Sequence, residues 1–312
     1  MLGYKRKFDE DGYVEPMGAW RGFCLRAVIC PLSRLLLFVM GFHWIRVHGR
    51  GNIPANPAAQ RGTLVVANHV SLADSFYLAS LFMPSFVFKH DIAHLPLMGT
   101  AVMVTQGLAV DRANRMTGSV SSILTHRMDK GTYFPTAVFP EGTTTNERYL
   151  LKFRSGAFVA GKPVYPIVLR YPFRFKSPYY GSSSIFNAAH RILCQFHNSM
   201  EVTFLPQYFP NEAELKDPKL YAENVRQLMR SEMKYPPVFC TECSNQEYID
   251  FHQEVEKRGC LPENALTEED FEKYKNMEPF LLCPTHLARK HISSIAKEAE
   301  FSGTKVEHIS IS

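Results

Sequence analysis

From residue 61 onward, short runs of β-branched and aromatic residues alternate with stretches whose apolar positions recur at helical spacing, the pattern of a sheet packed by helices. The runs predict strands over 63–67, 85–88, 108–110, 136–139 and 164–169, with a further one over 200–205. Helical stretches fall between them, over 74–82, 97–105, 114–130 and, more briefly, 155–160. After Pro210 the pattern changes. Residues 212–233 read as an amphipathic helix capped by Asn211, and Pro236-Pro237 ends it. Residues 236–312 are polar and weakly patterned, a C-terminal extension without a second core. The expected fold class is therefore α/β: a mixed sheet flanked by helices over residues 51–235, preceded by a distinct segment over 1–50.

Two apolar stretches need separate treatment. The first, residues 23–45, is interrupted by Arg26, Pro31 and Arg34, which leaves only 35–45 as a continuous uncharged run. That run is too short to cross a bilayer, which takes about 20 residues of helix. Arg21, Arg26, Arg34, Arg46 and Arg50, with Trp20 and Trp44 near the ends, predict N-terminal interfacial helices whose basic side chains reach anionic head groups. A buried N-terminal helix is the alternative. The second stretch, residues 92–110, lacks Asp, Glu, Lys and Arg, but Pro96, Gly99, Gln106 and Gly107 punctuate it. It reads as a buried helix running into the strand at 108–110.

Composition narrows the function classes. With 312 residues, 46% hydrophobic and 21% charged, the chain is neither disordered nor a polytopic membrane protein. A net charge of +5 without a Lys/Arg-rich block argues against nucleic acid and leaves anionic lipids or phosphorylated molecules as partners. Seven scattered cysteines do not make a disulfide framework.

The chemistry gathers at strand ends. Asn68-His69-Val70-Ser71-Leu72-Ala73-Asp74 directly follows the strand at 63–67. On one regular helix a histidine and an aspartate five positions apart would face about 140° away from each other. They meet if His69 sits in the turn after the strand and Asp74 begins the helix. An aspartate on one imidazole nitrogen fixes the tautomer and stabilises the imidazolium, leaving the other nitrogen to take a proton from a hydroxyl. Taken alone, the spacing equally describes a loop histidine beside a helix-capping aspartate. Phe139-Pro140-Glu141-Gly142-Thr143-Thr144-Thr145-Asn146 sits at the C-terminal end of the strand at 136–139, the edge where open α/β sheets bind ligands. Lys89, Arg112, Lys152 and Arg154 also fall just past predicted elements and would together make that crevice a phosphate site.

Four blocks in order and spacing, Asn68-His69 through Asp74, Gly107-Leu108-Ala109-Val110-Asp111-Arg112, Phe139-Pro140-Glu141-Gly142-Thr143 and Val164-Tyr165-Pro166-Ile167-Val168, resemble the glycerolipid acyltransferase family. Leu151-Lys152-Phe153-Arg154-Ser155-Gly156-Ala157-Phe158, Leu169-Arg170-Tyr171-Pro172 and Cys194-Gln195-Phe196-His197-Asn198 are similar to its lysophosphatidylcholine and lysophosphatidylethanolamine acyltransferase branch. The resemblance covers about residues 40–230. It implies transfer of a fatty acyl group from acyl-CoA, a co-substrate rather than a cofactor, to the free hydroxyl of a lysophospholipid. His69 would be the general base and Asp74 its orienting partner, with no acyl-enzyme. Arg112, Glu141, Gly142 and Thr143 map onto acceptor-binding positions, with Lys89 and Lys152 near phosphate. A membrane-associated enzyme of the endoplasmic reticulum, monotopic or held by one short anchor, is also implied. Larger members of the branch carry EF-hand loops; no D-x-[DN]-x-[DN]-G loop occurs in the sequence, so calcium regulation is not expected.

Three rival readings belong beside this one. Cys240, Cys243, Cys283 and His286 form two pairs with metal-ligand spacing that could close a tetrahedral zinc site, against ordinary thiols and a surface histidine. A thioesterase would use the same acyl substrates, but no G-x-S-x-G nucleophile elbow occurs. A non-catalytic lipid-binding protein on the same fold is disfavoured by the intact set His69, Asp74, Arg112 and Glu141.

Overall fold

The computed structural model describes residues 14–53, 60–89, 104–110, 117–145, 150–173, 176–180 and 185–233. Among them, seven strands form one mixed sheet: β1 (Ile45–His48), β2 (Leu64–Ala67), β3 (Ser85–Lys89), β4 (Leu108–Val110), β5 (Thr136–Val138), β6 (Val164–Arg170) and β7 (Met200–Phe204). Their order across the sheet is β1-β7-β6-β2-β5-β3-β4, which puts β2 at the centre. Strands β4, β3, β5, β2 and β6 run parallel, whereas β7 is antiparallel to β6 and carries β1 parallel to itself.

The central strand shows why the sheet needs helices on both sides. Leu64, Val65, Val66 and Ala67 are all buried, as expected of a parallel strand covered twice. Val65 and Ala67 face one layer, with Leu37 and Phe42 beside helix α1 (Ala19–Val39), Tyr77 and Leu78 of helix α2 (Leu72–Phe82), and Ile192 of helix α4 (Ile185–Leu193). Leu64 and Val66 face the other layer, with Leu124 of helix α3 (Thr117–Lys130) and Tyr221, Val225 and Met229 of helix α6 (Pro218–Ser231). The alternation follows from the two-residue period of a strand.

The six predicted strands fall within a residue of observed ones; α3 lies within its predicted helix, and α2 begins two residues before the predicted 74–82. Four differences have local causes. Residues 19–39 form one continuous helix through Pro31, long and apolar enough to cross a membrane by length and composition. Its interior bases do not reach outward as expected. Arg26 donates to the carbonyls of Leu81 and Phe82 at the end of α2, and Arg34 donates to those of Phe42 and His43. These bonds satisfy carbonyls that a helix end and a turn leave without partners. Strand β1, with Arg46 among its four residues, was not expected, nor was helix α4. Residues 155–160 form only one 3₁₀ turn, Ser155–Ala157. The long helix predicted over 212–233 breaks into α5 (Glu212–Lys216) and α6, because a residue before proline is pushed to extended backbone: Asp217 adopts φ −127° and then caps α6 with Pro218 in its first turn. The predicted helix over 97–105 lies largely outside the described residues.

Candidate active site

Parallel β2, β5 and β6 deliver three loops to one edge at the middle of the sheet. After β2 the chain turns through Asn68 and His69 and enters α2, whose N-cap is Ser71. Asp74 is the third helical residue and completes a capping box, its side chain accepting from the Ser71 N–H at 2.8 Å. The same carboxylate oxygen accepts from the Val70 N–H at 2.7 Å and lies 2.7 Å from His69 Nδ1. The other oxygen accepts the Tyr171 hydroxyl, which arrives from the end of β6. Asp74 is fully buried and its four donors fix both oxygens, so the imidazole meets a carboxylate that cannot rotate away.

His69 is held from three sides. Its ring stacks on Phe139, centroids 4.0 Å apart and planes 12° from parallel. Its N–H donates to Glu141 Oε1 at 3.0 Å, and its carbonyl accepts from the Thr145 N–H at 2.7 Å. With Nδ1 committed to Asp74, the proton sits on Nδ1 and Nε2 carries the lone pair. Among the described residues Nε2 has no protein partner, and the side chain is 22% exposed. The arrangement can accept a proton from a hydroxyl at Nε2 and hold the resulting imidazolium against Asp74.

Glu141 is also fully buried, and it works as a clamp between loops. One oxygen accepts from His69, the other from the Leu151 N–H at 3.0 Å. Burial pushes its carboxyl up to about 8; the N–H groups of Leu151 and His69 oppose the shift, the Asp74 charge adds to it, and the Arg226 charge opposes it. Arg226 of α6 donates to the Leu150 carbonyl at 3.0 Å, which ties that helix to the same loop. Gly142 takes φ +73°, a left-handed turn, and a Cβ there would meet Arg154 Nε at 2.6 Å. Asn68 joins β2 to β6 beyond the ladder: its amide donates to the Leu169 carbonyl at 2.9 Å and accepts the Leu169 N–H at 2.7 Å.

The structure thus brings His69, Asp74, Glu141 and Gly142 together, with Thr143 half-buried in the same loop. Lys152 is exposed, and its charge acts on Glu223 of α6. Lys89 closes β3 at the same edge, its side chain outside the described part. Arg112 and the four residues weighed as zinc ligands, Cys240, Cys243, Cys283 and His286, lie outside the described residues. Sequence reasoning missed Tyr171 and Phe139 as parts of the site. Phe139 ends one strand predicted to finish at this edge and Tyr171 follows another, so strand-end position was the available signal.

A carboxylate-held imidazole stands at the carboxyl edge of a central parallel strand of an α/β sheet, an arrangement able to act as a general base. Residues 44–170, which contain that site, match the acyltransferase family model. The chain carries a domain of the acyltransferase family. It is 37% identical over 230 residues to lysophospholipid acyltransferase LPEAT1 of Arabidopsis thaliana, covering 64% of this chain and 57% of that protein. It is 34% identical over 227 residues to lysophosphatidylcholine acyltransferase 1 of Danio rerio, covering 72% and 43% respectively, and 34% identical over 223 residues to the protein of that name from Homo sapiens, covering 69% and 40%. The chain spans about half the length of these relatives. Among solved structures, the 1-acyl-sn-glycerophosphate acyltransferase PlsC of Thermotoga maritima superposes with a TM-score of 0.47 at 21% identity, covering 68% of this chain and 80% of that one.

Proposed function

We propose that the protein transfers a fatty acyl group from acyl-CoA to the free hydroxyl of a lysophospholipid: lysophosphatidylcholine, lysophosphatidylethanolamine or lysophosphatidate. The observation that carries this reading is the 2.7 Å contact between His69 Nδ1 and a fully buried Asp74, with Nε2 left for substrate. The names of the relatives support the acceptor class. Nε2 takes the hydroxyl proton as the oxygen attacks the thioester carbonyl. The tetrahedral intermediate collapses with loss of the CoA thiolate, and the imidazolium returns the proton to that sulfur. A thioester is already activated, so base, proximity and orientation suffice, and neither a cofactor nor an acyl-enzyme is required. Arg112, with Lys89, Gly142 and Thr143, is assigned to the acceptor phosphate and glycerol, and the enzyme to the membrane of the endoplasmic reticulum. Purified full-length protein is given labelled acyl-CoA and a panel of lysophospholipids. Acyl transfer that depends on the acceptor and vanishes in His69→Ala is expected. Full activity in His69→Ala, or release of free fatty acid independent of acceptor, overturns the assignment.

A further inference from the structure

The chain is only mildly basic overall, yet its acidic residues are strongly segregated. Residues 16–73 hold six Lys or Arg and no Asp or Glu; residues 148–200 hold eight and again none. These two segments together carry +14, whereas the whole chain carries +5. In the fold they meet. Asn198 Nδ2 donates to the Met40 carbonyl at 2.8 Å and its N–H to the Gly41 carbonyl at 2.9 Å, while the His43 ring lies 4.7 Å from Phe38 and 5.4 Å from Phe196.

Where the segments meet, apolar side chains face solvent. Helix α4 turns Ala188 and Ile192 into the core and Phe186 and Leu193, two turns apart on one side, outward. Phe186 is 81% exposed and Phe196, in the turn after α4, 91%. The outer face of α1, from Trp20 to Val39, and Trp44 beyond it are exposed on the same side of the sheet. Among the described residues, the exposed large apolar side chains away from α1, Trp44, α4 and the turn after it are Val159, Phe209, Leu215 and Leu220, with Phe173 belonging to the surface through the cleft it shares with Phe196. That cleft, of about 760 Å³, is also lined by Lys176 and His197. It opens at the edge where β6 ends and β7 begins, the edge that carries His69.

We infer that α4 and the turn at residues 193–197 form, with Trp44 and the outer face of α1, a single docking surface for an anionic lipid bilayer. Apolar tips carried by two basic segments that hold no Asp or Glu match a membrane interface, where aromatic rings seat among head groups and lysine and arginine meet anionic lipid. Lateral docking is favoured over a spanning α1. A spanning helix would withdraw Leu37 from the core and strip Arg26 and Arg34 from the carbonyls they hold. The inference rests on the proposed function only for the direction from which lipid reaches His69.

The test is flotation of the purified full chain with vesicles of phosphatidylcholine and phosphatidylserine, read as a partition coefficient without turnover. Its outcome therefore leaves the acyl-transfer assignment to its own assay. The double variant Phe186→Glu, Phe196→Glu is expected to lose about tenfold or more, since each substitution removes apolar burial and adds a charge repelled by the surface. Phe196→Ser alone is expected to lose less in the same direction and, at a fully exposed site, to leave thermal unfolding unchanged. Leu220→Glu, on the opposite face, should partition like the parent. Undiminished partitioning of both phenylalanine variants overturns the inference, as does an equal loss in Leu220→Glu. Carbonate-resistant insertion indifferent to Phe196 would show a spanning α1 and overturn it too. So would self-association abolished by the variants with vesicle binding intact.

Discussion

Replacing Asp74 with asparagine isolates the charge of the carboxylate from its geometry. If the amide oxygen takes the position of Asp74 Oδ2, it keeps the bonds from His69, Val70 and Ser71, all at 2.7–2.8 Å in the parent. The amide nitrogen then faces Tyr171, whose hydroxyl can turn from donor to acceptor. Helix capping survives, and the change should cost about 1 kcal/mol of stability or less, against a larger loss in Asp74→Ala, which leaves buried N–H groups unpaired. What disappears is the anion beside the imidazolium. Two unit charges about 4 Å apart at an effective dielectric of about 20 attract by about 4 kcal/mol, which corresponds to roughly a thousandfold in rate. The amide dipole recovers part of this, so turnover of acyl-CoA with saturating lysophospholipid should fall about a hundredfold to a thousandfold. Single-turnover measurements separate this loss from binding, and urea unfolding confirms that the fold is intact. An Asp74→Asn enzyme within tenfold of the parent, beside an inactive His69→Ala, would refute the pairing as the source of catalysis.

Tyr171→Phe keeps the ring, which packs edge-on against Phe42 at 5.8 Å, and removes only the donor to a buried carboxylate; unfolding free energy should drop by about 1.5–3 kcal/mol while turnover falls by less than in Asp74→Asn. Glu141 gives a pH signature. Its carboxyl rises from 4.5 to about 8 on folding, so the stability it contributes is full below 4.5 and lost as pH climbs through about 8. Denaturant unfolding across that window should show stability declining with pH, and Glu141→Gln, which cannot titrate, should remove that part of the slope while weakening one of the two N–H bonds.

The legible part of the fold was the part with a strict period. Strands β2, β5 and β6 are buried on both faces and read as uninterrupted apolar runs, so their ends, and with them the loops at His69 and Glu141, could be placed in advance. Strand β1 was illegible because four residues with Arg46 among them look like a polar boundary; Arg46 is accommodated by pairing with Glu201 on β7 at 3.0 Å. Arg26 and Arg34 were misread for a related reason. In sequence a base within an apolar run looks like a membrane anchor, and only the fold reveals carbonyls within its reach. Glu141 was expected to bind the acceptor; it lies beside His69, fully buried, and its bonds to His69 and Leu151 come from loops far apart in the chain, which no local pattern encodes.

The two readings of a histidine five residues before an aspartate, catalytic pair or loop histidine beside a helix cap, are compatible in one arrangement. Asp74 is a cap because the turn after β2 leaves the N–H groups of Val70 and Ser71 without helical partners. Those same N–H groups fix the carboxylate oxygen that meets Nδ1. The backbone that needs a cap is therefore the backbone that orients the imidazole, and the helix start places positive potential beside the carboxylate. On the proposed mechanism, stability and catalysis draw on the same bonds. Substitutions that loosen the cap, such as Ser71→Ala, should lower both together, whereas Asp74→Asn should separate them, and it is that separation which distinguishes a catalytic carboxylate from one that only closes a helix.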